Sequence, residues 1–365
     1  MPLVFDNISK IVSGETHIHP TDLRLAPGSF NTLLGRTGAG KTTLLRLMAG
    51  LDRPSAGRIS MQGRDVTRLP VRRRSVAMVY QQFVNYPDFT VFDNIASPLK
   101  VAGVDQTEID RRVCEVAGMM HLEGYLHRLP AKLSGGQQQR TAMARALVKE
   151  ADLLLLDEPL VNLDFKLREE LRHELRNLLT GSDAIVVYAT AEPQEALALG
   201  GNAIIVDEGR VHQQGPAAEI YRRPQSVRTA QLMGDPPINV VEGLINDTTM
   251  QFGKDEPFAA PDHLCALPDG PYLFGVRPNH VLMRRRAPSD IEIRTRVELA
   301  EISGSETSIH FSHGGSSWVS RQDGVHPLTV DEPIRVYIEP RQVFAFDPNG
   351  ALIAAPDQPT SGRSA

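Results

Sequence analysis

The sequence predicts an α/β P-loop domain with a parallel sheet, followed by a small all-β domain. Three observations predict it. Unbroken apolar runs such as "ADLLLLD" (151–157) and "AIVVYAT" (184–190) alternate with helical segments, the pattern of strands buried on both faces. A glycine-rich stretch, "GRTGAGKTT" (35–43), lies between a predicted strand and a predicted helix. From about residue 236, short alternating runs punctuated by Gly, Asp and Pro replace that rhythm.

A chain of 365 residues is long for one core, so two domains are expected. Its 41% hydrophobic and 23% charged residues are those of a soluble globular protein. A formal charge of −5 argues against a general nucleic-acid binder. Cys114 and Cys265 stand far apart, which disfavours a disulfide or zinc framework and fits a reducing compartment. No apolar run reaches the roughly 18–20 residues that span a bilayer, and the N-terminus lacks the marks of a signal peptide. The chain is therefore expected to be cytoplasmic, meeting a membrane only through a partner.

The opening residues read as strands at Leu3–Ile8, His17–Leu25 and Phe30–Leu34. "HIHP" within them places two histidines on one side of a strand, and we read it as strand surface rather than as a metal site. Helical patterns follow at 42–49, at 105–150 with short breaks, and at 165–179. "NAIIVDEGRVHQQG" reads as a hairpin around Glu208-Gly209. The runs "VVEGLI", "YLFGVRP", "TRVELAEIS", "TSIHFS", "IRVYIE" and "VFAFD" predict a barrel or sandwich over 236–352. The tail 353–365 is expected to be disordered.

Gly35 to Thr42 fit the phosphate-binding pattern G-x-x-x-x-G-K-[ST]. Backbone N–H groups from Gly35, Arg36, Thr37, Gly38, Ala39 and Gly40 can close around phosphate oxygens, and the following helix end favours negative charge. Lys41 is expected to reach the β- and γ-phosphates, Thr42 to bind Mg²⁺ through its hydroxyl, and Thr43 to add a phosphate contact. "LLLLDEP" ends a strand in Asp157, a carboxylate for the metal, and Glu158, a base for an attacking water. "LSGGQ" has the form of a capping box, Ser134 with Gln137, while Gly135 and Gly136 clear space for an anion. That is a second phosphate-ready helix end. A chain needs two such ends if its nucleotide is sandwiched between subunits.

The order of P-loop (35–42), "VYQQ" (79–82), "LSGGQ" (133–137), strand acids (157–158) and "NLD" (162–164) resembles the ATP-binding-cassette (ABC) family over residues 1 to about 235. The resemblance implies a cassette at 1–235 with a helical subdomain at about 86–150, binding ATP and Mg²⁺. Two cassettes would pair head to tail, each P-loop facing Ser134 and Gly136 of the other. It also implies that Gln81 touches the metal or the attacking water and carries closure toward the membrane subunits, and that Asp164 crosses the seam. "PPINVVEG", "FGVRPNHV" and "ELAEISGSETSIHF" resemble the oligonucleotide-binding-like (OB-like) β domain of carbohydrate-importer ATPases of the maltose and glycerol-phosphate type, a domain that dimerises and can receive regulators. The expected partners are a second cassette, two integral membrane permease subunits and, indirectly, a periplasmic or extracellular solute-binding protein. The expected place is the cytoplasmic face of the cell membrane. Phe83, Tyr86, Pro87 and Phe89, beside the glutamine loop, fall where a permease would dock, with Tyr86 and Pro87 the better contacts.

Two departures stand out. Where the family has Thr-His-Asp, with the histidine on the γ-phosphate, this chain has Thr190-Ala191-Glu192. Where the family stacks an aromatic ring on adenine, Val12 stands, with His17 as a substitute ring. A missing donor aimed at transition-state charge can cost on the order of 10²–10³ in rate. A different, complete cassette is therefore favoured as partner over a second copy, and a subunit with a degenerate site is the alternative to an active ATPase. "YATAEPQEALALGG" is similar to one of the paired ATPase subunits of bacterial glycerol importers, which makes a glycerol-like solute the first expectation.

Overall fold

The structure is a computed structural model describing residues 2–161, 163–179, 183–253 and 255–356. It divides into two compact units, Met1–Ala217 and Ala218–Ala365. The expected disorder of the tail over 353–365 fails at its start, since 353 and 354 belong to a strand, Leu352–Ala354; 357–365 lie outside the described residues.

The first unit opens with β1 (Leu3–Val12), β2 (Glu15–Leu25) and β3 (Phe30–Leu34), then α1 (Lys41–Ala49), β4 (Ala56–Met61), β5 (Arg64–Asp65) and β6 (Val76–Val79). A helical stretch follows: α2 (Val91–Val101), α3 (Gln106–Met119) and α4 (Gly135–Leu147). The chain returns through β7 (Leu153–Asp157), α5 (Phe165–Leu179), β8 (Ile185–Thr190), α6 (Pro193–Leu199), β9 (Asn202–Asp207) and β10 (Arg210–Pro216). One sheet runs β10-β9-β3-β8-β7-β6, parallel from β9 to β6 with β10 antiparallel at its edge. Burial on both faces explains the unbroken apolar composition of β7 and β8, whose residues are all buried. A second sheet, β2-β1-β4-β5, is antiparallel. Leu3, Phe5, Ile18 and Ile59 from it share a core with Leu44, Leu45 and Leu47 of α1 and with Leu155 and Val187. On the other face, Leu154, Leu156, Val186 and Tyr188 pack with Ile95, Val113 and Met143 of α2, α3 and α4.

Sequence pattern left β4 and β6 unmarked. β4 ("AGRISM") carries a glycine and an arginine, and β6 ("VAMV") is too short for its period to show. β1 also runs on to Val12, four residues beyond the predicted strand.

The second unit begins with α7 (Ala217–Arg222) and α8 (Val227–Leu232) and continues as β11 (Asn239–Asn246), β12 (Thr249–Phe252), β13 (Phe258–Ala259), β14 (Gly270–Val276), β15 (Val281–Leu282), β16 (Ile291–Ser303), β17 (Glu306–His313), β18 (Ser316–Asp323), β19 (Pro333–Ile338), β20 (Phe344–Phe346) and β21 (Leu352–Ala354). Its sheets run β13-β12-β11-β14-β20-β21 and β15-β19-β16-β17-β18 and enclose Phe252, Phe274, Phe311 and Trp318. Each predicted β run of this half coincides with a strand. The division falls at 217/218 rather than at 235, because α8 packs on the β domain: Ala230 shares a cluster with Ile238, Phe344 and Phe346.

Candidate functional site: a phosphate-binding cleft

The site grows from the C-terminal edge of the parallel sheet, where β3, β7 and β8 end side by side. β3 runs into the glycine-rich loop, and α1 begins at Lys41 after Gly40, whose φ of 104° is a left-handed conformation that glycine adopts freely. A Cβ on Gly35 would lie 2.2 Å from the Val206 carbonyl oxygen, so that position tolerates no side chain. The loop is thus held tight against β9: Gly35 N–H donates to the Thr190 carbonyl at 3.3 Å and Ala39 N–H to the Arg36 carbonyl at 3.0 Å, so these two amides, expected on phosphate, are already taken, and Thr37, Gly38, Gly40 and the start of α1 face the cleft.

Lys41 is 5% exposed. Its Nζ donates to the carbonyls of Gly35 at 2.8 Å and Arg36 at 3.1 Å and lies 3.2 Å from Glu158 Oε1. Thr42 Oγ1 donates to Asp157 Oδ2 at 2.8 Å. Gln81 Nε2 donates to Glu158 Oε2 at 2.9 Å. The hydroxyl and the acid expected to share a metal are therefore already partners, and the base lies between a lysine and an amide. Burial pushes the Asp157 carboxyl above the usual carboxylate range, and the negative charge of Glu158 adds to that; the Thr42 hydrogen bond and Lys41 oppose it. Glu158 takes a left-handed φ of 47°, uncommon for a side chain of its size. Its N–H donates to the Ala189 carbonyl of β8 at 3.0 Å, which fixes the turn.

The donor set fits a nucleoside triphosphate with its divalent ion: a glycine loop whose first residue has no room for a Cβ, a buried cation at its base, and a hydroxyl paired with an acid. The open cleft is lined by Thr37, Gly38, Gly40, Lys41, Thr42, Thr43, Gln81 and Glu158, joined by Thr16, His17, Glu208 and Gly209. The sequence marks neither Glu208 nor Gly209 as a site residue. They lie in the β9–β10 turn, which docks by main chain: Gly209 N–H donates to the Ala39 carbonyl and His19 N–H to the Gly209 carbonyl, both at 2.9 Å. Such pairing leaves no mark on a local motif. Val12, at the tip of the β1–β2 hairpin, is exposed and does not line the cleft, whereas His17 does.

Ser134, Gly135, Gly136, Gln137 and Asp164 are not in this cleft. Ser134 caps α4: its Oγ accepts from Gln137 N–H at 3.3 Å, and Gln137 Oε1 accepts from Ser134 N–H at 3.0 Å. A Cβ on Gly135 would meet open space, whereas one on Gly136 would lie 3.1 Å from Leu163 Cδ2, so of the two glycines expected to clear space for an anion only Gly135 faces an open surface. Asp164 Oδ1 accepts from Leu167 N–H at 3.0 Å at the start of α5. Asn162 of "NLD" lies outside the described residues. Ala191 is exposed, and the neighbouring Glu192 is held by Arg168 at 3.1 Å.

A glycine cradle, a strand-end acid pair and a separate capped helix end, all on one parallel-sheet domain, define a P-loop nucleoside triphosphatase. The ABC transporter family matches residues 18–161, and the TOBE domain family matches residues 274–346. The chain is 35% identical over 348 residues to the sn-glycerol-3-phosphate import ATP-binding protein of Pectobacterium atrosepticum, covering 94% of this chain and 97% of that protein. It is 34% identical to the trehalose/maltose import ATP-binding protein of Thermococcus litoralis, with 93% of this chain and 96% of that protein covered. It is 35% identical to the sulfoquinovosyl glycerol transport ATP-binding protein of Agrobacterium fabrum, with 89% and 92% covered. Among solved structures, a dimeric post-hydrolysis state of the ATP-binding cassette MJ0796 bound to ADP and Pi matches with a TM-score of 0.54 and 28% identity, covering 59% of this chain and 98% of that one. The chain belongs to the ABC transporter family of ATPases, as an ATP-binding subunit followed by a TOBE domain. These relatives lend no support to the alternative of a degenerate subunit.

Proposed function

We propose that this chain hydrolyses ATP to drive a binding-protein-dependent importer of a sugar or a glycerol-like polyol. The observation that carries the reading is the convergence of Lys41, Thr42, Gln81, Asp157 and Glu158 beneath one glycine loop. Three relatives are named for import or transport of sn-glycerol-3-phosphate, trehalose/maltose and sulfoquinovosyl glycerol. Their common chemistry is a polyhydroxylated solute.

In this reading the loop amides and Lys41 bind the β- and γ-phosphates, and Glu158 takes a proton from the attacking water. Thr42, Asp157 and Gln81 would hold Mg²⁺, which when bound neutralises phosphate charge. Lys41 and Gln81 keep Glu158 aimed until the nucleotide takes the lysine. Ser134 and Gly136 serve the cleft of a second cassette, and Asp164 lies at the seam. A different cassette is the favoured partner, because Ala191 offers the γ-phosphate no donor. Two permease subunits would receive the complex at the cytoplasmic face of the membrane, through the exposed Tyr86, Pro87 and Phe89.

The test is steady-state ATP hydrolysis by the purified chain together with a complete cassette whose own base is replaced, with Glu158→Gln of this chain as blank. Wild type should exceed the blank by about 10²-fold or more, the usual worth of a positioned base. The variant should still bind ATP. Equal rates would remove Glu158 as base. If Glu158→Gln with ATP forms a stable homodimer, the preference for a different cassette fails.

A further inference from the structure

β8 supplies two carbonyls to the cleft. Ala189 accepts from Glu158 N–H at 3.0 Å, and Thr190 accepts from Gly35 N–H at 3.3 Å. One strand end therefore holds both the base and the first residue of the phosphate loop. Beyond Thr190 the chain leaves the sheet, and Ala191 and Glu192 are exposed. The main chain of β8 is paired to this end, Thr190 against Leu34 of β3 and Ala189 against Asp157 of β7, and its side chains are tied as well.

The tie lies underneath. Glu195, on the first turns of α6, is 5% exposed. Its Oε2 accepts from Thr190 Oγ1 at 2.6 Å and from the Tyr188 hydroxyl at 3.2 Å. Thr190 Oγ1 accepts in turn from Glu192 N–H at 3.0 Å. Tyr188 is 1% exposed, so none of these groups is there for solvent. Arg172, Glu192 and Tyr188 are the charged or titratable neighbours of Glu195. Burying a carboxyl costs free energy, and here it serves no step already described.

We infer that Glu195 is a positioning residue for ATP hydrolysis: through Thr190 and Tyr188 it fixes the end of β8, and so sets Glu158 against the phosphate loop. The inference rests on the ATPase reading for its kinetic consequence but not for its geometry. It assigns work to a turn from which the γ-phosphate histidine is missing. Glu195 touches no nucleotide. Burial raises its carboxyl above the usual range, consistent with a group kept for its hydrogen bonds.

The experiment compares Glu195→Leu, Glu195→Gln and Thr190→Val in the full chain. Glu195→Leu and Thr190→Val should each lower kcat at least tenfold per folded molecule. ATP affinity, measured by equilibrium binding in a Glu158→Gln background, should stay within about threefold, because the loop amides remain. Glu195→Gln keeps an acceptor oxygen and should recover a third or more of wild-type kcat. Amide exchange at Gly35 and Glu158 reads the clamp without turnover, and should speed at least tenfold in Glu195→Leu. Unchanged exchange at both amides overturns the inference, as does a kcat within twofold of wild type. A wild type no faster than Glu158→Gln would instead count against the ATPase reading, while the exchange result still decides this one.

Discussion

At the scale of single residues the cleft is poised rather than relaxed. Asp157 is buried, and its carboxyl sits above its usual range mainly because of that burial. An acid whose folded pKa is raised weakens the fold as pH rises from its unfolded value of about 3.8 through the folded one, and the full penalty remains at neutral pH. Asp157→Asn keeps an acceptor for Thr42 and removes the charge. It should raise the Tm of the nucleotide-free protein at pH 7 while abolishing turnover. The gain should shrink as pH falls through the raised pKa, and thermal melts at pH 7 and pH 5 check both points. Ala191 is a second poised position. The proposed function places this turn toward the γ-phosphate, so on that reading Ala191→His should raise kcat about tenfold or more with little change in KM; an unchanged kcat would show that the turn does not reach the phosphate. Lys41, Thr42, Asp157 and Glu158 were legible in the sequence because phosphate chemistry needs them at fixed local spacing. Glu195, Glu208 and Gly209 were not. Gly209 is held by main-chain bonds, Glu208 reaches the cleft only through that turn, and Glu195 meets Thr190 and Tyr188 only through the sheet, so a lone Glu or Gly-containing turn looks the same wherever it falls.

At the scale of elements, capping and anchoring decide what is presented outward. The capping box of α4 was legible from Ser134 and Gln137 alone, since a cap needs only residues three apart. The segment before α2 was half legible: its apolar residues showed, but not what holds them. Asn94 does so. It is 0% exposed, its Nδ2 donates to the carbonyls of Tyr86, Phe89 and Thr90 at 3.0 Å each, and its Oδ1 accepts from Tyr86 N–H at 2.8 Å. Tyr86 and Phe89, whose rings lie 5.3 Å apart, remain 48% and 45% exposed on this scaffold, and Arg145 covers the Tyr86 ring at 4.9 Å. Asn94→Ala strands several main-chain groups and should cost about 1–3 kcal/mol. The cleft does not contain this segment, so ATP hydrolysis by the isolated chain should stay within about twofold. Stimulation of hydrolysis by membrane subunits should fall at least fivefold. Assay of the isolated and the assembled protein separates the two; a loss of isolated activity would show that Asn94 supports the cleft itself.

At the scale of the whole molecule, the question is where one folding unit ends. Composition changes near 236, where alternating strands begin, which is the boundary that sequence pattern alone suggests. Two short helices defeat that signal, because α7 and α8 have the pattern of the first unit and the packing of the second. Arg277 shows why. It is 3% exposed, its guanidinium lies 3.5 Å from the centre of the Tyr221 ring and 5.4 Å from that of Phe344, and it donates to the Tyr221 carbonyl. Burial lowers its pKa to about 10, so it still carries its charge at neutral pH and needs these partners. Ser226 pairs with Ala351, and Leu352 N–H donates to the Gln225 carbonyl at 3.0 Å, so the chain between α7 and α8 also borders the β sheet. Cutting at 235 would strand Arg277 without Tyr221 and uncover Phe344 and Phe346, whereas cutting at 217 leaves that core whole. A fragment of 218–356 should therefore melt cooperatively with a Tm near that of the β domain in the full chain. A fragment of 236–356 should melt at least 10 °C lower or fail to fold, since it loses the Tyr221 contact and exposes Phe344 and Phe346 to water. Paired thermal melts decide between the two boundaries: equal stability would return α7 and α8 to the cassette, and a large gap would make them the first elements of the β domain.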